Sequence, residues 1–440
     1  MTAHLVAAEP RRPGRRPPPA LVAVALTGAL LLAGCGPPVG EPSPAPVSTE
    51  AGTDPPSSPG PPSSTGSPAP TGSPSPSDAA SPAPDTTPTP DTTPPPRPDD
   101  VLAGWTLDQK VGQLLMAGVA VDGPAEVSAD AVRDHHVGNV FLHGRSEAGV
   151  RATADLVDDY TGLVSTKTTH GTPLLVATDQ EGGLVQVLRG PGFSEIPRAT
   201  EQATWDRATL RERAEGWGSE LAAAGVNLNL APVMDLVDAA DAAGNPPIGY
   251  FDRSYGYTPA SVTRSATAFA AGMQAAGVEP VLKHFPGLGR VTQNTDTDTD
   301  VTDDVTGPRA RAVTLFGDGI DAGARFVMLS SAVYDRIDPD RPAVFSRRVV
   351  DLLRDDLGFD GVVMTDDVSA AAQVRPWPPG ERAVRAVDAG VDLVLASADP
   401  GVAGEMADAL VAKARADDGF AAKVDASARR VLAAKAGLDG

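Results

Sequence analysis

The chain has 440 residues, with 36 Lys and Arg against 57 Asp and Glu, which gives a formal net charge of −21. Such an acidic chain is a poor partner for nucleic acid, because phosphate backbones are bound by clustered basic residues. The single cysteine excludes an internal disulfide framework and any cysteine-rich zinc or iron–sulfur site.

The first 35 residues have the pattern of a bacterial export signal. Four arginines between residues 11 and 16 precede an apolar run over residues 20–34, too short to span a bilayer comfortably but suited to the core of a signal peptide. The run ends in Leu-Ala-Gly-Cys, which resembles a lipobox. We therefore expect lipidation of Cys35 and an extracytoplasmic lipoprotein that meets the membrane through its lipid anchor only. The alternative is an ordinary secretory signal in which Cys35 has no role.

Residues 36–100 have the composition of a disordered tether. This segment holds 22 of the 44 prolines, and most of the rest is Ser, Thr and Asp. It cannot bury enough apolar surface to offset its chain entropy, so we expect it to stay extended. The tether is predicted to hold residues 101–440, the predicted folded domain, away from the membrane surface.

From residue 101 onward, short apolar runs alternate with longer amphipathic stretches. Eight runs are predicted strands: residues 111–118, 138–142, 173–178, 226–232, 280–284, 324–330, 361–365 and 391–396. Helical patterns lie between them, including residues 200–224, 259–276 and 379–389. Eight βα units in about 340 residues favour the α/β class and a single TIM-type (β/α)₈ barrel. No GxGxxG follows an early strand, which disfavours a dinucleotide-binding sheet.

The ends of the predicted strands carry distinctive polar motifs. They are Asp179-Gln-Glu-Gly-Gly after the third strand, Asp252-Arg253-Ser-Tyr-Gly in the loop after the fourth, Lys283-His284-Phe-Pro-Gly at the fifth, and Val-Val-Met-Thr-Asp366-Asp367 at the seventh. In this order, from about Trp105 to the C-terminus, they resemble the N-terminal catalytic barrel of glycoside hydrolase family 3. That family contains bacterial β-N-acetylglucosaminidases.

The resemblance implies a retaining exo-β-glycosidase, β-N-acetylhexosaminidase-like, that hydrolyses terminal sugars of cell-wall or extracellular glycans. A retaining glycosidase needs a carboxylate beside the anomeric carbon, and the family position of this nucleophile corresponds to Asp366. The alternative for Asp366 and Asp367 is a solvated loop acid or a helix N-cap, and for Asp367 we favour that alternative.

The resemblance also implies a set of sugar-binding residues. Four of them match family positions that hydrogen-bond sugar hydroxyls: Asp179, Arg253, Lys283 and His284. A further arginine of the family falls at Val187 here, and Arg189, two residues later, is the candidate to replace it. The alternative for this group is an ion-pair network that braces the barrel mouth. We expect a carbohydrate substrate, no cofactor and no bound metal.

The chain departs from the family at the general acid/base. In the acetylglucosaminidases, Lys-His-Phe-Pro-Gly is followed by His-Gly and then by Asp-Ser-His, whose histidine transfers the proton. Here Leu288 replaces the first histidine, residues 294–296 read Asn-Thr-Asp, and no histidine follows His284. We predict that Asp296 is the proton donor, since burial or a neighbouring carboxylate raises the pKa of such an acid.

Two alternatives to an active glycosidase remain, the first of which follows from that departure. If the loop around Asp296 is only a solvated acidic segment, the chain is a catalytically impaired lipoprotein that binds surface glycans in the retained sugar pocket. The other alternative is a different barrel hydrolase whose motifs match by chance.

Overall fold

A computed structural model describes residues 101–438 of the chain. The predicted export signal with Cys35 and the predicted tether lie outside the described residues. Within the described part, no helix is both long and apolar enough to cross a membrane.

Eight parallel strands form the wall of a barrel. They are β1 Leu115–Ala120, β2 Asn139–His143, β3 Leu175–Thr178, β4 Leu228–Asn229, β5 Glu279–Phe285, β6 Phe326–Leu329, β7 Val362–Thr365 and β8 Val394–Ala396. Strands β1 to β7 pair in chain order, and β1 also pairs with β8, Leu115 opposite Val394. A bridge between Met364 and Leu393 joins β7 to β8. The predicted (β/α)₈ barrel is confirmed.

Helices separate the strands and surround the barrel. They are α1 Leu107–Gln113, α2 Glu126–Asp134, α3 Gly149–Thr161, α4 Ala199–Gln202, α5 Arg207–Ala223, α6 Pro259–Ala275, α7 Arg311–Asp321, α8 Arg347–Asp351, α9 Pro379–Ala389, α10 Ala403–Ala416 and α11 Asp418–Ala436. Two short sheets lie in the loops: Gln180–Gly182 with Val185–Gln186, and Thr302–Asp303 with Val333–Tyr334 and Asp338–Pro342. Single turns of 3₁₀ or π helix complete the connections: Ala242–Gly244, Ala343–Phe345, Leu352–Asp356, Ala372–Val374 and Pro400–Val402.

Two predicted elements have different bounds in the structure. The predicted strand at 111–118 starts inside α1, because Thr106 and Gln109 form a reciprocal capping box that begins a helix there. The predicted helix at 200–224 is two helices. The side chain of Asp206 accepts hydrogen bonds from the backbone N–H groups of Ala208 and Thr209, both at 3.0 Å, and so starts a new helix.

Alternate residues of the strands fill the barrel interior. One cluster of buried apolar side chains takes members from all eight strands, whereas their sequence neighbours pack outward against the helices. Val431 and Ala434 of α11 belong to the interior cluster. Lys435 of the same helix donates to the carbonyl of Gly138, just before β2. Helix α11 therefore covers the N-terminal end of the barrel, and the C-terminal end is left for a binding site.

Candidate active site

A cavity of about 720 Å³ opens at the C-terminal end of the barrel. Its wall combines residues that follow six of the eight strands, β2, β3, β4, β5, β7 and β8. The predicted site residues among them are Asp179 after β3, Arg253 after β4, Lys283 and His284 in β5, Asp296 in the following loop, and Asp366 after β7. The parallel topology places the carboxyl ends of all these strands at one end of the barrel. Side chains that are far apart in the sequence thus share one cavity.

Two buried cations form the base of this site. Lys283 Nζ lies 2.6 Å from Asp179 Oδ1 and 2.7 Å from Glu181 Oε1, and its side chain is 3% exposed. Arg253 donates to both oxygens of the Glu181 carboxylate, at 2.9 Å from Nε and 2.7 Å from Nη2. This is the fork geometry of a strong guanidinium–carboxylate pair. The ion-pair alternative for these residues is therefore present in the structure beside their exposure to the cavity.

Glu181 is the buried acid whose negative charge pairs with both Arg253 and Lys283. Burial raises the pKa of its carboxyl, but Arg253 and Lys283 outweigh burial and lower the pKa to about 2. Glu181 is therefore ionised throughout the physiological range. Asp179, with 28% of its side chain exposed, keeps acceptor capacity for a ligand beside its bond to Lys283. Together these groups present fixed hydrogen-bond donors and acceptors to the cavity.

His284 is held in place by a buried aspartate that the sequence analysis missed. Asp235 is fully buried, and its Oδ2 accepts from His284 Nδ1 at 2.7 Å. Its Oδ1 accepts from the backbone N–H of Leu288 at 2.7 Å, so the same carboxylate also fixes the chain after β5. The other ring nitrogen of His284 lies 3.5 Å from Arg253 Nη2. The available signal was an acid directly after the apolar run that follows β4.

Two of the carboxyl groups that line the cavity, those of Asp296 and Asp366, have different environments. Burial raises the pKa of Asp366, while His284 and Lys283 oppose that rise. Asp296 is exposed to the cavity. Packing around its carboxyl, together with the charges of Asp366 and Asp367, raises its pKa to about 6. Glycoside hydrolysis requires one acid that donates a proton and one carboxylate that attacks the sugar, and Asp296 and Asp366 are two carboxyl groups with different pKa environments in the same cavity.

Asp367 holds the loop that follows the seventh strand. Its Oδ1 accepts from the backbone N–H groups of Ser369 at 3.0 Å and Ser397 at 2.9 Å. These bonds agree with the structural interpretation of Asp367, although the residue also touches the cavity. Its backbone N–H donates to Asp366 Oδ1 at 2.8 Å, which favours the ionised form of that carboxyl.

Arg189 is the one predicted substrate-binding residue that does not line the cavity. Its guanidinium donates to the carbonyl of Gly183 at 2.8 Å, within its own loop. A sugar contact by Arg189 stays a prediction. Arg145, after β2, does line the cavity and donates to the carbonyl of Leu184 at 2.9 Å. The sequence analysis missed Arg145, because no motif surrounds it.

The chain matches proteins of one enzyme family over its whole barrel. The family profile described as "Glycosyl hydrolase family 3 N terminal domain" matches residues 106–434. A β-hexosaminidase of Stenotrophomonas maltophilia (strain R551-3) is 33% identical over 64% of this chain and 82% of that protein.

Solved structures of similar proteins indicate the same family. The crystal structure of β-N-acetylhexosaminidase from Beutenbergia cavernae DSM 12333 is 61% identical, with a TM-score of 0.75 over 76% of this chain and 99% of that one. A glycoside hydrolase family 3 β-N-acetylglucosaminidase from Paenibacillus sp. str. FPU-7 is 33% identical, with a TM-score of 0.68 over 76% of this chain and 63% of that one. With a family 3 barrel whose cavity Asp296 and Asp366 face, this chain belongs to glycoside hydrolase family 3 and is a glycoside hydrolase.

Proposed function

We propose that the protein is a retaining exo-β-N-acetylhexosaminidase that releases terminal N-acetylhexosamine from glycans. The observation that carries the proposal is the carboxyl pair, in which Asp296 has a pKa of about 6 and faces the same cavity as Asp366. The hexosaminidase relatives, one of them 61% identical, support the choice of sugar. In this proposal Asp296 replaces the histidine that is the proton donor in the family's acetylglucosaminidases.

The proposed reaction has two steps. In the first, an Asp366 oxygen attacks the anomeric carbon while the protonated Asp296 gives its proton to the departing glycosidic oxygen. The glycosidic bond breaks as the covalent ester of Asp366 forms. In the second, the Asp296 carboxylate takes a proton from water, the water oxygen attacks the anomeric carbon, and Asp366 leaves as a carboxylate. Two inversions give net retention of the β configuration.

The terminal sugar is proposed to sit over the polar base of the cavity. Lys283 and Arg253 supply donors there, and Asp179 supplies an acceptor. Each sugar hydroxyl donates one hydrogen and accepts others, so a mixed set of fixed charges suits vicinal hydroxyls. The Asp235 pair holds His284 in one ring orientation beside them.

A panel of nitrophenyl β-glycosides, assayed with and without phosphate, tests the proposed function. We expect the N-acetylglucosaminide to be the preferred substrate, phosphate to have no effect, and the β anomer to appear first by NMR. Release of a sugar 1-phosphate would instead identify a phosphorylase. Turnover of activated aryl glycosides alone, with no cleavage of alkyl glycosides, would support the impaired glycan-binding protein.

We further propose that the enzyme is a lipoprotein of the cell surface, acting on cell-wall or extracellular glycans. The export pattern ending at Cys35 and the proline-rich tether support this location. Cys35→Ser should move the protein from the membrane fraction into the soluble fraction, since a single lipid anchor supplies the attachment. Unchanged membrane association of this variant would contradict lipidation at Cys35.

A further inference from the structure

The loop that carries Asp296 is attached to the loop that follows the nucleophile's strand. The backbone N–H of Ala372 donates to the carbonyl of Asp296, and that of Gln373 donates to the carbonyl of Thr295, each at 3.1 Å. Ala372–Val374 is a 3₁₀ turn seven residues after β7 ends at Thr365. The proposed acid and the proposed nucleophile are thus linked through two loops in direct hydrogen-bond contact.

The side chain of Gln373 adds a second attachment to the same loop. Its Oε1 accepts from the backbone N–H of Val301 at 2.9 Å, and its Nε2 donates to the carbonyl of Val301 at 3.2 Å. The amide therefore pairs with one residue as a neighbouring strand would. Gln373 is 5% exposed and Val301 is 1% exposed, so water does not compete for these bonds.

The two attachments enclose the segment that carries the acid. Gln373 holds Thr295 through its backbone and Val301 through its side chain, so residues 295–301 are pinned at both ends. Between these ends Asp296 is exposed to the cavity, and its own backbone N–H bonds only within the loop, to Asn294 Oδ1 at 3.0 Å. Gln373 is not among the residues that line the cavity.

We propose that Gln373 is the positioning residue that holds Asp296 at its working distance from Asp366. The proposal rests on the proposed function, in which Asp296 is the acid/base. Gln373 does not touch the substrate and acts only through the loop that it pins. Loss of its side-chain amide frees Val301 and leaves Thr295 and Asp296 held by their backbone bonds alone, so the acid is positioned less tightly while the nucleophile and the residues at the base of the cavity stay in place.

Gln373→Met tests this role, because methionine has a similar length and no amide. The variant should lose tenfold or more in kcat/KM on an alkyl β-glycoside, part of the roughly 10²–10⁴-fold that a general acid contributes. On a dinitrophenyl glycoside, whose leaving group needs no proton, it should stay within about twofold of wild type. Because Asp296 is also the base of the second step, kcat and KM of the dinitrophenyl substrate should fall together, so that kcat/KM is preserved. If the methionine variant does not fold, Gln373→Glu, which keeps the acceptor for Val301, is measured for the same ratio.

Gln109→Met is the matched control. Gln109 is also 5% exposed and donates to two backbone carbonyls, those of Thr166 and Lys167, but it lies in α1 before the first strand. Its loss should affect both substrates equally. In an Asp296→Ala background, Gln373→Met should add nothing to the ratio between the two substrates, because both changes remove the same proton transfer.

Three outcomes would overturn the positioning role. They are an equal loss on both substrates, an unchanged alkyl-glycoside rate, and a ratio that still grows in the Asp296→Ala background. A wild-type enzyme that cleaves no alkyl glycoside at all would contradict the proposed function itself, so the two failures are distinguishable.

Discussion

Asp296 and Asp366 share one cavity, and the negative charge of Asp366 is one of the causes, after burial, that raise the pKa of Asp296 to about 6. Because each acid alters the proton affinity of the other, the pair titrates as a unit with two apparent steps. Replacing either acid therefore has two effects: its own chemistry is lost and the pKa of its partner changes.

Replacing Asp366 with Asn should abolish turnover with the fold retained, since the amide has the same size and cannot form the glycosyl ester. A fluorinated sugar inactivator, followed by peptide mass spectrometry, should label Asp366 in the wild type. Asp360→Asn is the matched control, because Asp360 is an exposed acid shortly before the same strand. Labelling of another carboxylate would remove Asp366 from the nucleophile role.

Replacing Asp296 with Ala should lower kcat/KM by about 10²–10⁴-fold for an alkyl glycoside and far less for a dinitrophenyl glycoside, because only the poor leaving group needs the proton. Azide should restore part of the second step and give a β-glycosyl azide, since azide needs no general base. Asp304→Ala, which removes an exposed acid of the same acidic segment, should leave both rates unchanged. An Asp296→Ala enzyme with a normal alkyl-glycoside rate is incompatible with Asp296 as the acid.

The pH profile should depend on the leaving group. For an alkyl glycoside, kcat/KM should fall as the pH rises through about 6, because only protonated Asp296 donates a proton. A dinitrophenyl glycoside should lack this basic limb in kcat/KM. In Asp366→Asn the loss of the neighbouring negative charge should lower the pKa of Asp296, which carboxyl NMR would detect. An unchanged Asp296 titration in that variant would disprove the coupling.

Replacing Glu181 with Gln should raise KM and destabilise the protein by about 3–5 kcal/mol, the usual cost of leaving buried charges without their partner. Glu181 has an ordinary pKa of 4.5 when unfolded and about 2 when folded, so the folded state binds fewer protons between these values. Its stabilisation is complete above about pH 4.5 and is lost as the pH falls toward 2. The difference in unfolding free energy between wild type and variant should shrink over that window, as urea denaturation would measure.

The exposed Glu195 of the same loop supplies the control for Glu181. Glu195→Gln should change neither KM nor the pH dependence of stability. A Glu181→Gln protein as stable as the wild type at pH 7 would show that Arg253 and Lys283 find other partners.

The sequence predicted the parts of this molecule that follow from local pattern and from the resemblance. Apolar runs located all eight strands, and the topology of a parallel barrel then brought Asp179, Lys283 and Asp366 to one end. Asp235 and Gln373 were not predicted, because their roles depend on partners 49 and 72 residues away in the chain. No local periodicity reports such a pairing.

The fate of residues 111–118 illustrates a second limit. An apolar run of that length suits a strand as well as a buried helix. The helix that the cap at Thr106 begins includes residues 111–113, and the strand starts only at Leu115. Likewise, the motif suggested that Arg189 replaces the family arginine missing at Val187. In the structure Arg145, and not Arg189, lines the cavity. The position of a side chain on a loop depends on the conformation of that loop, which cannot be read from the spacing of residues in a motif.

The pairing of β1 with β8 has a consequence for how the chain is made. Leu115 lies opposite Val394, so the first strand finds one of its two neighbours only when nearly the entire barrel has been synthesised. Until then the nascent chain carries an open sheet edge and an uncovered interior, which are surfaces prone to aggregation. Helix α11, which follows the last strand, contributes Val431 and Ala434 to that interior and so completes it last. Fragments that end before Asp418 should therefore be recovered mainly in the insoluble fraction. Any soluble remainder should be bound by chaperones or degraded.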